Sequence, residues 1–257
     1  MGFKTRKTVL PDIVCFFVML FVFTAFGGGS QKETQVSKIS TGYDLIKAMK
    51  AKYNGKWYAA AAIEQKMTYY DAAGKVTKVQ MSSELLQLPG KVRSTIGSPD
   101  SNNYEIHIDN TFYIYRKGIL QRKIRLIHNV LVLGFDVYVQ DTEKTAAQLK
   151  EAGFNLDILR ESVWKGRPVY VVGAKEGDIY SNQFWIDKEQ LYCVRILTKS
   201  GNVDLIEIEC SSYKPLGGGW IAAELIFKRN GKTYLTEEYV NFSIPDKIDP
   251  KAFQIKE

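Results

Sequence analysis

The chain contains few histidines and cysteines, and this scarcity restricts the chemistry it can support. Its 257 residues include three cysteines and two histidines, His107 and His128. A Ser-His-Asp arrangement needs a histidine held by an acid and touching a hydroxyl, and His107 has Asp109 nearby but no nucleophile motif. Zinc ligation needs histidines and cysteines at characteristic spacings, which do not occur. The sequence therefore predicts no catalytic residue, no metal site and no cofactor.

Other catalytic and nucleic-acid signatures are also missing. No Gly-x-Ser-x-Gly motif occurs, and Gly217-Gly218-Gly219 precedes neither a Lys-Ser pair nor a helix signal, which argues against a phosphate loop. Basic residues are dispersed and do not interleave with aromatics, so no nucleic-acid partner is expected. Paired carboxylates for glycoside hydrolysis leave no mark in a sequence. An envelope hydrolase therefore stays open as an alternative, although the leading expectation is a protein that is not an enzyme.

The longest apolar run lies near the N-terminus and is short for a membrane span. It extends from Ile13 to Phe26, whereas a transmembrane helix needs about 20 apolar residues. Basic residues precede the run and Ala25-Phe26-Gly27 ends it, which is the layout of a secretory signal peptide. We expect residues 1–27 to be this signal peptide, cut near Gly27, and the mature protein to work outside the cytosol. An uncleaved anchor is the alternative.

The remaining chain is predicted to be one domain with a short lead. Residues 28–40 are rich in small and polar residues and are expected to be flexible, and residues 41–257 show no repeat or change of composition. Cys193 and Cys210 flank a turn signal at Ser200-Gly201-Asn202 on two predicted strands. A disulfide between them and two buried free thiols both fit this arrangement.

Short segments separated by turn signals predict an antiparallel β-meander. Asp71-Ala72-Ala73-Gly74-Lys75 indicates the first hairpin loop and Asn230-Gly231 the last. Because the turns are short, neighbouring strands should pair antiparallel. The predicted strands are Ala60–Tyr70, Thr77–Leu88, Tyr104–Ile108, Thr111–Arg116, Ile119–Ile124, Pro168–Gly173, Asn182–Asp187, Gln190–Thr198, Val203–Ser211, Trp220–Lys228 and Lys232–Phe242.

Two predicted helices and one apolar segment interrupt the strands. Thr41 with Asp44 three residues later is a capping-box signature and predicts a helix over 42–53. A second helix is predicted over 141–152. Residues 126–139 are so apolar that they should lie against an apolar surface. We expect a mainly β (α+β) fold, a curved antiparallel sheet of about ten strands with two or three helices on its concave side.

Strand alternation indicates a candidate ligand-binding surface on that concave side. Apolar side chains of the first predicted strand share one face, as do those of 111–116, and segment 126–139 would cover them permanently or as a lid. Each buried methylene is worth about 0.8 kcal/mol whether a lid or an acyl chain covers it, so exchange would be nearly balanced. Leu133→Glu is then expected to weaken lipid binding more than it lowers the melting temperature. The candidate ligand-binding residues are Ile63, Met67, Tyr69, Phe112, Ile114, Leu131, Leu133 and Phe135. A solid core without a cavity is the alternative.

Five motifs occur in a characteristic order along most of residues 43–255. They are Ile63-Glu64-Gln65-Lys66, Leu88-Pro89-Gly90-Lys91-Val92-Arg93, Asp109-Asn110-Thr111-Phe112-Tyr113-Ile114-Tyr115, Asn182-Gln183-Phe184-Trp185-Ile186-Asp187 and the closing residues Ile244, Asp249, Pro250 and Phe253. In this order they resemble the LolA-like carriers of bacterial envelopes, which include outer-membrane lipoprotein-sorting proteins.

The resemblance implies a half-open β-barrel with a helical lid over a hydrophobic cavity. It also implies a periplasmic protein that shuttles or senses lipid or lipoprotein acyl chains by reversible exchange, with envelope or outer-membrane proteins as partners. One residue departs from the pattern. Classical sorters carry an arginine that holds the lid where this chain has Leu88. A non-transporting sensor or scaffold with the same fold and a filled cavity is therefore the alternative function.

Overall fold

The computed structural model describes residues 38–200 and 204–256, which build a large antiparallel sheet and three short α-helices. The predicted signal peptide, and residues 28–37 of the predicted lead, lie outside the described residues. No helix in the described part is long and apolar enough to cross a membrane.

The elements follow the chain in this order. The strands are β1 (Ala60–Tyr70), β2 (Val76–Gln87), β3 (Lys91–Ile96), β4 (Tyr104–Ile108), β5 (Thr111–Arg116), β6 (Ile119–Arg125), β7 (Leu159–Trp164), β8 (Arg167–Val172), β9 (Gln183–Asp187), β10 (Cys193–Ser200), β11 (Asp204–Ser211), β12 (Lys214–Leu216), β13 (Gly219–Ile221), β14 (Glu224–Arg229) and β15 (Lys232–Ser243). The helices are α1 (Gly42–Tyr53), α2 (Asn129–Gly134) and α3 (Thr142–Glu151), with 3₁₀ turns at Pro99–Ser101, Asp136–Tyr138 and Pro250–Phe253.

In the main sheet, the first and the last strands of the chain are neighbours near the centre. Its thirteen strands run in the order β6-β5-β4-β3-β2-β1-β15-β14-β11-β10-β9-β8-β7, and β12 pairs separately with β13. All pairs are antiparallel, including β1 with β15. Strands β6 and β7 remain as edges, so the sheet is not closed into a barrel. The predicted mainly β, half-open architecture is confirmed.

The sheet has more strands than the sequence predicted. Strands β3 and β7 were missed, and β3 forms a hairpin with β2 across the Leu88-Pro89-Gly90 turn, with Gln87 opposite Lys91. The predicted strand 220–228 is divided, because β13 pairs with β12 while β14 joins β11 and β15. The strand predicted from Gln190 begins only at Cys193.

That delayed start has a local cause. The side chain of Asp187 accepts hydrogen bonds from the backbone N–H groups of Glu189 and Gln190, at 2.9 and 2.7 Å. Leu191 has a φ of 57°. Together these features make a tight turn between β9 and β10 and keep residues 190–192 out of the ladder.

Helix α1 begins and ends where the sequence predicted. The Thr41 hydroxyl accepts a hydrogen bond from the Asp44 N–H at 3.1 Å, and the Asp44 carboxylate accepts one from the Thr41 N–H at 3.0 Å. The helix buries Leu45, Ile46 and Met49 against the sheet. The capping box and the apolar stripe therefore fix one helix on the concave side.

Thr41→Ala is expected to lower the free energy of unfolding by about 1 kcal/mol, because it removes an N-cap hydrogen bond. Thermal melting measures this change. Ser98→Ala is the matched control, since Ser98 precedes the 3₁₀ turn at Pro99–Ser101 and makes no side-chain cap hydrogen bond. Equal melting temperatures of the two variants would contradict the assigned cap.

The main core lies between the concave face and the helices. Cys193 and Cys210 are both buried in this core as free thiols. Of the two arrangements left open by the sequence, the structure has the free thiols. Burial, the main cause, raises the pKa of the Cys193 thiol, which keeps it in the unreactive protonated form.

Candidate functional site

A cavity of about 210 Å³ lies between the concave face of the sheet and helix α2. Strands β1 to β5, β14 and β15 supply most of its wall, and α2 with the residues around it covers part of it from the other side. Its apolar lining comprises Met67, Leu86, Val92, Ile96, Phe112, Val130, Leu131, Phe135, Leu225 and Phe227. We call residues 126–139 the lid segment, because they cover this cavity.

Half of the candidate residues named from the sequence line the cavity. Met67 of β1 and Phe112 of β5 face it from the sheet, and Leu131 and Phe135 face it from the lid segment. The structure thus brings together side chains from three regions that are distant in sequence. Val130 lines the cavity as well, although the sequence analysis did not select it.

The other candidates lie nearby but do not line the cavity. Ile63 is buried in the main core, opposite Glu84. Tyr69 follows Met67 on the same face of β1, where its hydroxyl accepts a hydrogen bond from Gln80 at 3.0 Å. Ile114 lies opposite Glu105 in the β4–β5 pair.

Leu133 lies on a different side of the lid segment. Its side chain is 0% exposed and belongs to the main core. Residues four apart in a helix share a face, whereas residues two apart do not. Leu131 and Phe135 therefore face the cavity together, and the Leu133 prediction has to be revised.

The first residues of the lid segment are held against the sheet by two histidines. His128 Nδ1 accepts a hydrogen bond from the Leu131 N–H at 3.3 Å and so caps α2. The His128 ring stacks on Phe112, with centroids 5.3 Å apart, and meets the His107 ring edge-on at 5.4 Å. His107 Nε2 lies 3.4 Å from the Leu126 carbonyl oxygen.

Both histidines are neutral at neutral pH. Burial, together with the neighbouring His107, lowers the pKa of His128 to about 3. Burial also lowers the pKa of His107. Among residues 38–200 and 204–256, no group of three or more His, Cys, Asp or Glu side chains is placed to hold a metal ion.

The end of the lid segment is held by a buried carboxyl. Asp136 Oδ1 accepts a hydrogen bond from the Gly90 N–H at 2.9 Å, which ties the lid to the turn between β2 and β3. This contact lies two residues from Leu88, the position where the LolA-like pattern has its lid-holding arginine. Burial raises the pKa of Asp136 to about 7, although the Gly90 hydrogen bond and Lys144 oppose the shift.

Aromatic contacts of Tyr138 also hold the end of the lid segment. The Tyr138 ring stacks on Trp57 with centroids 3.7 Å apart and meets Tyr53 edge-on at 5.3 Å. The Tyr138 hydroxyl donates a hydrogen bond to the Leu191 carbonyl at 3.0 Å. The lid segment is thus attached at both ends, while its middle covers the cavity.

The floor of the cavity is acidic. Strand pairing places Glu84 of β2, Ser94 of β3 and Glu105 of β4 in one cross-strand row, and the Ser94 hydroxyl donates to Glu84 at 2.7 Å. Glu237 of β15 lies opposite Met67. The polar lining comprises Gln65, Ser82, Glu84, Ser94, Glu105, His128, Glu237 and Tyr239.

The two central carboxyls of this floor hold their protons unusually tightly. Burial and the nearby Glu84 raise the pKa of Glu237 to about 8. Burial and Glu105 raise the pKa of Glu84. A low-dielectric cavity disfavours two adjacent negative charges, so the pair keeps at least one proton near neutral pH.

This acidic floor was missed in the sequence, although a signal was present. Alternation puts Glu84 on one face with Ser82 and Leu86, and Glu237 on one face with Leu235 and Tyr239. An acid on an otherwise weakly polar strand face marks a functional candidate. Nothing local to either strand indicates that the two acids face one cavity.

Comparison with known proteins finds structural likeness only. No protein-family model matches the chain, and no curated protein does. The structure is similar to a DUF1329 family protein from Desulfovibrio piger, with a TM-score of 0.58 and 16% identity over 83% of this chain and 95% of that one.

Two further solved structures are similar. One is a putative outer membrane lipoprotein-sorting protein domain from Vibrio parahaemolyticus, with a TM-score of 0.57 and 13% identity over 82% of this chain and 95% of that one. The other is a LolA superfamily protein from Nitrosomonas europaea, with a TM-score of 0.54 and 11% identity over 82% and 97%. At such identities the likeness shows the fold alone, and that fold is LolA-like.

Proposed function

We propose that this protein binds an acyl chain of a lipid or lipoprotein under the lid segment and carries it in the bacterial periplasm. The observation that carries the proposal is the apolar lid, whose Leu131 and Phe135 cover a cavity also lined by Met67 and Phe112. The predicted signal peptide supports a periplasmic location. The similarity to a putative lipoprotein-sorting domain supports a carrier role. Binding and release need no bond to be made or broken.

The cavity volume indicates how the lid would take part. Cavities of about 150 Å³ accommodate a benzene molecule, and drug-sized ligands occupy roughly 300–1,000 Å³. The observed 210 Å³ therefore suits a ring or a short chain. A longer acyl chain needs more room, which the middle of the lid segment would provide by moving away from the sheet. The acyl chain then makes the apolar contacts that the lid segment has lost. Each Å² of buried apolar surface contributes about 25 cal/mol, whether the lid segment or the acyl chain covers it.

A second candidate function is a non-transporting sensor or scaffold. Two observations favour it: the cavity is small, and large side chains such as Leu133 and Tyr138 already fill much of the concave side. Such a protein would keep its lid closed and bind an envelope protein through its outer surface. Uptake of a ligand by the purified protein separates the two candidates.

Val130→Phe is expected to weaken ligand binding roughly tenfold or more, because the larger ring occupies space that the acyl chain needs. Val130 lines the cavity and is only half-buried, so the fold should persist. Displacement of the fluorescent probe N-phenyl-1-naphthylamine by 1-octanol measures the affinity, and circular dichroism measures the melting temperature.

Val79→Phe is the matched control for this experiment. Val79 is 53% exposed and belongs to β2, where alternation puts it on the face opposite Ser82 and Glu84. The same change in size should leave the displacement curve unaltered there. Equal probe affinity in both variants and the wild type would place the ligand elsewhere.

A further inference from the structure

The cavity contains a buried hydrogen-bond acceptor that lacks a donor. Gln65 of β1 is 1% exposed and lines the cavity. Its Oε1 atom has no hydrogen-bond partner within the described part of the chain. A buried polar atom without a hydrogen-bond partner is destabilising. A protein therefore keeps such an atom where a ligand can supply the missing partner.

Two carboxyls flank this acceptor. Gln65 pairs with Ser82 of β2 and with Tyr239 of β15. Glu84 is two residues after Ser82 and opposite Ile63, whereas Glu237 is two residues before Tyr239 and opposite Met67. Both acids line the cavity. Each acid is therefore a diagonal cross-strand neighbour of Gln65, at a distance that long side chains span.

Within residues 38–200 and 204–256, no cation balances these acids inside the cavity. Neither lysine nor arginine is among its lining residues. Arg116 pairs with Glu105 at 3.0 Å, and no ion pair involves Glu84 or Glu237 among the described residues. His128 is the remaining titratable base of the lining and is neutral. The floor thus offers acceptors without a matching positive charge.

We propose that the cavity selects ligands that carry a primary ammonium group on an apolar chain. An ammonium group has three N–H donors and no acceptor, which matches the Gln65 amide oxygen and the carboxylates of Glu84 and Glu237. The attached chain would lie against Leu131 and Phe135 of the lid segment. This inference rests on the proposed function, since it specifies the headgroup of the same ligand.

Among ligands of equal chain length, the charge of the headgroup should determine the order of affinity. A charge-assisted hydrogen bond is about twice as strong as a neutral one, so an amine should bind more tightly than an alcohol. A fatty acid would bring a further carboxylate next to Glu84 and Glu237, so it should bind more weakly than either.

Amine binding should also release a proton. The free carboxyl pair keeps a proton near neutral pH, because burial and the neighbouring Glu84 raise the pKa of Glu237 to about 8. An alkylamine stays charged up to about pH 10 and replaces that proton. The titratable groups that interact with Glu237 are Glu84 on β2, Tyr69 on β1, and Tyr234 and Tyr239 on β15. Glu105 on β4, which pairs with Arg116 on β5, and His128 in the lid segment line the same cavity.

Competition experiments with eight-carbon ligands test the inference. Octylamine, 1-octanol and octanoic acid each displace N-phenyl-1-naphthylamine at pH 8. We expect octylamine to bind about tenfold more tightly than 1-octanol, and octanoic acid to bind more weakly. Octylamine affinity should rise about tenfold between pH 6 and 7, whereas 1-octanol affinity stays flat.

Glu237→Gln should remove most of the preference for octylamine over 1-octanol. Glu238→Gln is the matched control, because Glu238 is adjacent in β15 but pairs with Lys66 outside the cavity. Lysophosphatidylethanolamine and lysophosphatidylglycerol locate the source of the amine. If lysophosphatidylethanolamine binds more tightly than lysophosphatidylglycerol, the amine belongs to a lipid headgroup. If only octylamine is preferred, the ligand is a free amine.

Two failures can be told apart. If 1-octanol and octylamine bind equally well, the ammonium inference is overturned while the proposed function stands. If none of the ligands displaces the probe from the wild-type protein, the proposed function itself fails.

Discussion

Leu133→Glu is expected to abolish folding. Leu133 is fully buried in the main core and does not line the cavity. A carboxylate placed there would have neither water nor a cation as partner, and burying such a group costs more than about 5 kcal/mol. Domains of this kind are stable by only about 5–15 kcal/mol. Circular dichroism and solubility after expression measure the loss.

Leu126→Glu provides the control for this substitution. Leu126 begins the lid segment and is 57% exposed, so the new carboxylate stays in water and the free energy of unfolding should change by less than about 0.5 kcal/mol. A folded Leu133→Glu protein that has lost only ligand binding would contradict the position assigned to Leu133. It would support the interpretation from sequence, in which Leu133 faces the ligand.

Asp136→Asn is expected to stabilise the protein above neutral pH and to leave its stability near pH 4 unchanged. The pKa of the buried Asp136 carboxyl is about 7 in the folded protein, whereas an aspartate carboxyl without these interactions has a pKa of 3.8. Between these values the folded protein holds a proton that the unfolded chain has released. The contribution of this group to the free energy of unfolding is therefore fully present below pH 3.8 and is lost as the pH rises through about 7.

The size of the effect follows from the shift in pKa. Each pKa unit corresponds to about 1.4 kcal/mol, so the full difference is on the order of 4 kcal/mol or less. Asparagine keeps an oxygen for the Gly90 N–H and cannot ionise. The difference in melting temperature between variant and wild type should thus grow from pH 4 to pH 8 and then level off.

Asp100→Asn serves as the reference for Asp136→Asn, because Asp100 is exposed and its neutralisation should change stability little at any pH. A constant difference between Asp136→Asn and the wild type across this range would contradict a buried, proton-binding Asp136. If the variant melts lower at every pH, the ionised carboxylate itself holds the lid to the β2–β3 turn.

Local signals in the sequence predicted the elements that local chemistry determines. The capping box at Thr41 predicted α1, and the turn at Asn230-Gly231 predicted the β14–β15 hairpin, both of which are confirmed. Strand β3 was missed because Pro89-Gly90 was interpreted as the end of a strand, although it is the turn of a hairpin. Proline and glycine mark a turn equally well in both cases.

The orientation of the lid segment could not be predicted from its composition. The sequence analysis selected Leu131, Leu133 and Phe135, which is the two-residue spacing of a strand. Helix α2 has a period of 3.6 residues. Leu131 and Phe135 therefore line the cavity together with Val130, and Leu133 does not. An apolar run of this length fits both periods, and tertiary packing decides between them.

The acidic floor depends on pairing between distant parts of the chain. Glu84 and Glu237 approach each other only because β1 pairs with both β2 and β15. No turn or motif near either residue specifies that pairing. From the sequence, four residues of the apolar lining were named, Met67, Phe112, Leu131 and Phe135, and none of the acidic floor.

Native mass spectrometry of the protein purified from a bacterial envelope tests whether the cavity binds an acyl chain. We expect one bound acyl-containing molecule per protein, which organic extraction identifies and which the Val130→Phe variant retains to a smaller extent. An unmodified protein mass that stays unchanged after incubation with lipids and alkylamines would contradict this expectation, and would favour a LolA-like scaffold whose cavity stays closed.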